Sequence, residues 1–274
     1  MKTITIKYNL KSNKISNVKI AHISDIHYSH KYKIERFKII VDELKKINPQ
    51  YICITGDLID SDEMLEDKLE YNIFIKFIKE LSQIGKVLIT LGNHEMKHKI
   101  NFSKDKYMEI VNKFKNIDNV IILENEAIVL DKINFIGFNP SNEYYDKKGK
   151  NAKLLVDYFN EQQFSIKDNY NILLIHTPKD LLKDKIYNEI KSFNKIDLIL
   201  AGHTHGGLMP NNIKGHCGII SPGKKILPRD VRGCLIRNNT NLIISSGIIR
   251  LSDTSHLNFF NDLYAMSINE ITIN

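Results

Sequence analysis

The chain has 274 residues, 42% hydrophobic and 26% charged, which excludes a disordered or collagen-like polypeptide and is enough to bury a substantial core. Its 39 Lys and Arg against 32 Asp and Glu give a formal charge of +7; the lysines are scattered along the whole length, so the surplus suits anionic ligands in general and gives no strong signal for nucleic acid. Cys53, Cys217 and Cys234 are odd in number and form no C-x-x-C pair, which argues against a disulfide framework or a cysteine zinc site and for a reducing compartment.

The opening MKTITIKYNLKSNK has no apolar core behind its charges, and no later window offers about 18 uninterrupted apolar residues. The expectation is a cytoplasmic protein without a membrane span, with peripheral membrane contact left open. The run NVKIAHIS is the first predicted strand. IERFKIIVDELKKI follows as a helix whose Ile34, Phe37, Val41, Leu44 and Ile47 make an apolar face. YICITG is a second strand, and residues 66–84 a second helix striped by Ile73, Phe77, Leu81 and Ile84 and ended by Gly85. KVLITLG, NVIIL, INFIGF, YNILLIH and DLILAG are further short, β-branched strands.

Strand alternating with helix implies a largely parallel, helix-covered sheet in the first half. From about residue 215 the pattern changes: GCLIRNNTNLIISSG reads as two strands closed by an Asn-rich turn, and LYAMSINEITI as a last strand. With no repeat, low-complexity stretch or linker, residues 1–274 are expected to form one α/β domain with a mixed or antiparallel second sheet.

Open α/β sheets bind ligands at the carboxyl ends of their strands, so the polar residues there carry the functional reading. Asp25 and His27 follow NVKIAHIS, Asp57 follows YICITG, and Asn93 and His94 follow KVLITLG; His176 closes YNILLIH, and His203 and His205 follow DLILAG. Each fragment alone reads as a turn or a core histidine. Together they assemble the carboxylate, imidazole and carboxamide groups that divalent cations bind. His203-Thr204-His205, flanked by Gly202 and Gly206-Gly207, brings two imidazoles near one point where the backbone can approach closely.

The order D-x-H, G-D, G-N-H-E, H and G-H-T-H over residues 25–205 resembles the calcineurin-like metallophosphoesterase superfamily, and the GGLMP, SPG and LIISSGIIRLS that follow resemble its bacterial GHTHGG phosphohydrolase branch. Leu208 stands where that branch has glutamine, and Ser246, not arginine, precedes Gly247. The resemblance implies a two-sheet β-sandwich with mixed sheets flanked by helices, and two divalent cations (Mn, Fe or Zn). Asp25, His27 and His205 would hold one, Asn93, His176 and His203 the other, and Asp57 would bridge them. It further implies hydrolysis of a small phosphorylated substrate, a phosphomonoester or phosphodiester, by attack of a metal-bridging hydroxide. His94 would serve the leaving group and Asp60 would orient His94.

Cyclic-nucleotide and lipid-linked phosphodiesters are the competing substrates, and a catalytically silent metal-binding scaffold is the competing class. Glu95 is expected to cap or bridge near the site. Arg250 offers either a phosphate contact or an ion pair. His22, His30, His98, His216 and His256 match no motif and are expected on the surface or in loops, except that His22 lies within a strand.

Overall fold

The computed structural model describes residues 3–29, 34–60, 66–96, 111–140, 144, 152–161, 169–209, 213–221, 225–248 and 266–274. The apolar runs fold into two six-stranded sheets. The first contains β1 (Thr3–Leu10), β2 (Val18–Ile23), β3 (Tyr51–Thr55), β4 (Lys86–Thr90), β5 (Val120–Ile122) and β12 (Met266–Ile273), in the order β1-β12-β2-β3-β4-β5. The second contains β6 (Ala127–Leu130), β7 (Ile133–Phe138), β8 (Tyr170–Ile175), β9 (Leu198–Ala201), β10 (Gly233–Arg237) and β11 (Thr240–Ile244), in the order β10-β11-β9-β8-β7-β6.

Side chains alternate between the two faces of a strand, and here both faces are covered, which is why the central runs are apolar throughout. In β3, Tyr51 and Cys53 enter a core shared with Phe135, Ile172 and Leu200 of the second sheet, whereas Ile52 and Ile54 face the helices α1 (Glu35–Ile47) and α2 (Lys68–Ser82). In β8, Ile172 and Leu174 face the shared core, and Leu173 and Ile175 pack toward α3 (Ala152–Glu161) and α4 (Asp184–Glu189). The result is helix, sheet, sheet, helix. Asp67 starts α2 by accepting the N–H groups of Leu69 and Glu70, as an N-cap aspartate does. The stripe of α1 is buried as expected at Phe37, Val41, Leu44 and Ile47, with Ile40 added, but Ile34 precedes the helix and is exposed.

Both sheets are mixed. β2 through β5 are parallel, with β12 antiparallel against β2 and parallel to β1. Parallel pairing also dominates the second sheet, through β7, β8, β9 and β11, whereas β6 and β10 run antiparallel at its edges. Asn238 and Asn239 close the β10–β11 hairpin with φ of 44° and 71°, the left-handed pair that a two-residue turn of this kind demands. Register brings the parallel ends level: Ile23 pairs with Ile54 and Ile54 with Ile89 in one sheet, Ile175 with Ala201 and Ala201 with Ile244 in the other.

His22 is fully buried inside the first sheet and is no surface residue. The Asn269 amide donates to its Nδ1 at 3.2 Å, and its Nε2 lies 2.9 Å from Thr55 Oγ1. Burial pushes its pKa down to about 3, against a weaker pull from Asp25. The unfolded chain therefore takes up a proton below its ordinary pKa that the folded chain refuses until about pH 3, and stability falls as pH drops through that window. Between pH 6.5 and pH 5 this single group should cost about 2 kcal/mol. Urea unfolding of wild type and His22→Gln at both pH values checks it; parallel losses in the two proteins would remove the assignment. His216 Nδ1 donates to Arg232 O at the chain's exposed side, while His30, His98, His256 and Arg250 lie outside the described residues.

Candidate metal centre

The level strand ends bring Asp25, His27, Asp57, Asn93, His94, His176, His203 and His205 together between the two sheets. Asp25 Oδ1 lies 4.0 Å from His27 Nε2 and 3.8 Å from His205 Nε2. Asp57 Oδ2 lies 3.5 Å from His27 Nε2 and 3.1 Å from His176 Nε2. Two groups capable of holding a cation follow, Asp25/His27/His205 and Asp57/His176/His203, with a third formed by His27, Asp57 and His94. Asp57 belongs to two of the three and faces both His27 and His176.

Hydrogen bonds outside the cluster aim the imidazoles into it. His176 Nδ1 donates to Thr55 O at 2.8 Å, tying the second sheet to the first, and His27 Nδ1 lies 3.1 Å from Asp60 Oδ1. Each ring then presents its Nε2 lone pair inward, the orientation that a partner on the remote nitrogen fixes in metal-ligating histidines. Around His176 Nε2 crowd Asp57 Oδ2 at 3.1 Å, Asn93 Oδ1 at 3.2 Å and His203 Nδ1 at 3.2 Å. These atoms bear lone pairs, and a proton or a cation among them relieves their repulsion. His27 Nε2 and His205 Nδ1 are buried without a hydrogen-bond partner, although buried polar atoms normally have one. The donor set therefore fits divalent metal.

The electrostatics agree. Burial alone would push the Asp57 carboxyl up, but His176 and His27 beside it hold it well below the usual carboxylate range. Burial would likewise depress His176; the Asp57 carboxylate overrides it and raises the imidazole to about 9. His203 goes the other way, down to about 3, through burial and then the positive charge on His176. His205 is lowered mainly by burial. Burial would lower His27 as well, but the Asp60, Asp57 and Asp25 carboxylates raise it.

Backbone strain marks the same residues. Asp25, His27, Asp57, His203 and His205 adopt φ of 53°, 46°, 51°, 69° and 48°, a left-handed region that costs a residue with a Cβ about 1–2 kcal/mol. Close packing is also demanded: a Cβ on Gly92 would stand 2.2 Å from Asp57 Oδ1.

Glu95 bridges near the site as expected, whereas the position of Asn139 was not marked by the sequence pattern. Glu95 is buried and accepts four main-chain N–H groups, those of Asp57 and Gly92 on Oε2 at 2.9 and 2.7 Å and those of Leu58 and Ile59 on Oε1 at 2.7 and 3.1 Å. It clamps the loop after β3 to the loop after β4. Asn139, at the end of β7, accepts Leu91 N–H at 2.9 Å and donates to Leu123 O at 2.8 Å; the only trace in sequence is an amide directly after INFIGF. Asp60, expected beside His94, also meets His27. Its carboxylate lies closer to His27 Nδ1, at 3.1 Å, than to His94 Nδ1, at 3.4 Å, and its main-chain carbonyl accepts from His94 at 3.1 Å. Cys53 is buried, Cys217 exposed and Cys234 between the two, and none belongs to the cluster.

Residues 18–207 match the family model of calcineurin-like phosphoesterases. An uncharacterized metallophosphoesterase of Helicobacter pylori is 28% identical over 69% of this chain and 45% of its own length, and one of Aquifex aeolicus is 26% identical over 74% and 70%. The chain thus spans less than half of the Helicobacter relative. Among solved structures, a dimetal phosphatase from Danio rerio aligns with a TM-score of 0.51 at 12% identity, covering 88% of this chain and 91% of that one, a likeness of fold.

Proposed function

Because this chain belongs to the calcineurin-like phosphoesterase family, we propose that it is a metal-dependent hydrolase of phosphomonoesters or phosphodiesters working through two divalent cations. The observation that carries this reading is the convergence of lone pairs at His176 Nε2, Asp57 Oδ2, Asn93 Oδ1 and His203 Nδ1 beside the unpartnered His27 Nε2. One cation would sit among Asp25, His27 and His205, the other among Asn93, His176 and His203, with Asp57 shared. Bound there, two dications acidify water toward neutral pH and stabilise charge on phosphoryl oxygens.

The chain's own groups supply the rest. Two carboxylates against two dications leave the site electropositive, so an incoming phosphate is attracted. Imidazole, carboxylate and carboxamide ligands suit Mn²⁺, Fe²⁺ and Zn²⁺. His94 is among the more accessible imidazoles of the cluster, with 24% of its side chain exposed against 5% for His27. With Nδ1 donating to Asp60 O, its Nε2 is the nitrogen available to protonate a departing oxygen. His94→Ala should therefore retain metal and lose about 100-fold in kcat or more, less for substrates with a good leaving group; loss of metal on this substitution would overturn the role.

The reading itself is tested with chelator-treated protein, Mn²⁺, Zn²⁺, Fe²⁺ or Mg²⁺ added back singly, and paired chromogenic monoester and diester substrates. Metal-restored turnover is expected, and the favoured substrate of the pair identifies the bond type. Tight metal uptake without turnover of either substrate would count against it.

A further inference from the structure

Nine large hydrophobic side chains stand exposed among the described residues, and Ile213, Ile219, Ile226 and Leu227 account for four of them within fifteen positions. Their segment is an antiparallel ribbon. Leu227 N–H donates to Ile219 O at 2.8 Å, Gly218 N–H to Pro228 O at 2.9 Å, and Ile220 bridges Ile226. Its base is fixed to the metal-site turn, where Ile219 N–H donates to Gly207 O at 2.7 Å and Thr204 Oγ1 donates to Val231 O at 2.6 Å. Arg232 braces the root by donating to the carbonyls of Gly215, Met209 and Ile213.

The pairing is bent where these side chains sit: Leu227 has φ of 46°, and Ile219 and Ile220 both donate N–H to Gly207 O. Ile219, Ile226 and Leu227 are 46%, 75% and 69% exposed around the bend. The charge specifies what would cover them: residues 213–232 carry five Lys or Arg against Asp230 alone, and Lys225 and Arg229 are exposed. Exposed apolar side chains with cations beside them match the boundary between acyl chains and anionic headgroups.

We propose that this ribbon docks the protein on an anionic lipid surface, with Ile219, Ile226 and Leu227 entering the headgroup–acyl boundary and Lys225 and Arg229 meeting lipid phosphates. The docking is independent of the hydrolytic reading, since it needs no turnover.

Co-sedimentation of the full chain with phosphatidylcholine vesicles, with and without about 25 mol% phosphatidylglycerol, tests it. Binding is expected to the anionic vesicles and to weaken on raising NaCl from about 0.1 to about 0.5 M. The double variant Ile226→Ser, Leu227→Ser should lose about tenfold or more in vesicle affinity with an unchanged thermal midpoint, because both side chains are already exposed. Lys225→Glu with Arg229→Glu should abolish the preference for anionic lipid. Wild-type protein left in the supernatant, a serine variant that pellets equally, or a concentration-dependent dimer that the serine variant abolishes would each overturn the proposal, the last making the ribbon a self-association face.

Discussion

Asp57→Ala should abolish hydrolysis and leave the protein unable to bind its two cations together, measured as loss of at least one equivalent of Mn²⁺ by titration calorimetry. The expectation follows from position. Asp57 Oδ2 is 3.5 Å from His27 Nε2 and 3.1 Å from His176 Nε2, so this carboxylate faces both candidate cation positions while Oδ1 takes the His94 N–H at 3.0 Å. Removing it takes away one of two negative charges and leaves Asp25 as the single carboxylate, with imidazoles and the Asn93 amide, to hold two dications. Turnover should drop by about 10⁴-fold or more, beyond the loss from a single proton donor. Circular dichroism and the thermal midpoint of the metal-free variant separate this effect from unfolding. A folded Asp57→Ala protein that still binds two equivalents of Mn²⁺ would refute the shared position and with it the proposed centre.

The sequence made the convergence of these side chains legible because each candidate ligand follows an apolar strand, and parallel strands deliver their ends to one side. Asp25, Asp57, Asn93, His176 and His203 could be picked out by that rule alone. Long-range pairing was not legible in the same way. β1 alternates Ile4, Ile6, Tyr8 and Leu10, yet its partner is β12, more than 250 positions later, and a local pattern carries no record of a contact so distant. β6 has partly exposed residues throughout and a single antiparallel neighbour, β7, so little burial marked it. The Asn238–Asn239 turn announced the β10–β11 hairpin, but the passage of β11 parallel to β9 depends on the whole second sheet. His22 shows the same limit inside a strand. Its acceptance in the core depends on Thr55 and Asn269, which only the folded sheet brings together.

Glu95 carries that argument to its strongest consequence. In sequence it completes a G-N-H-E string; in the fold its two oxygens receive N–H groups from Asp57, Leu58, Ile59 and Gly92. Burial and the negative charge of Asp57 push its carboxyl up, and the donated N–H groups of Gly92 and Ile59 pull it back. Glu95→Ala leaves four buried donors without an acceptor, at about 1–3 kcal/mol each where water cannot replace it, so a loss of about 4 kcal/mol or more in folding stability is expected. Glu95→Gln is the sharper variant. It keeps the shape but replaces one acceptor by an NH₂ group that faces donors, which should free the Asp57 loop from the Asn93 loop while the helices and sheets remain. Amide hydrogen exchange at Asp57, Leu58, Ile59 and Gly92 should accelerate about tenfold or more relative to the β2 and β3 interior, and Mn²⁺ affinity should fall with it. Unchanged exchange at those four amides, with metal binding intact, would reduce Glu95 to a buried polar group with no hold on the centre.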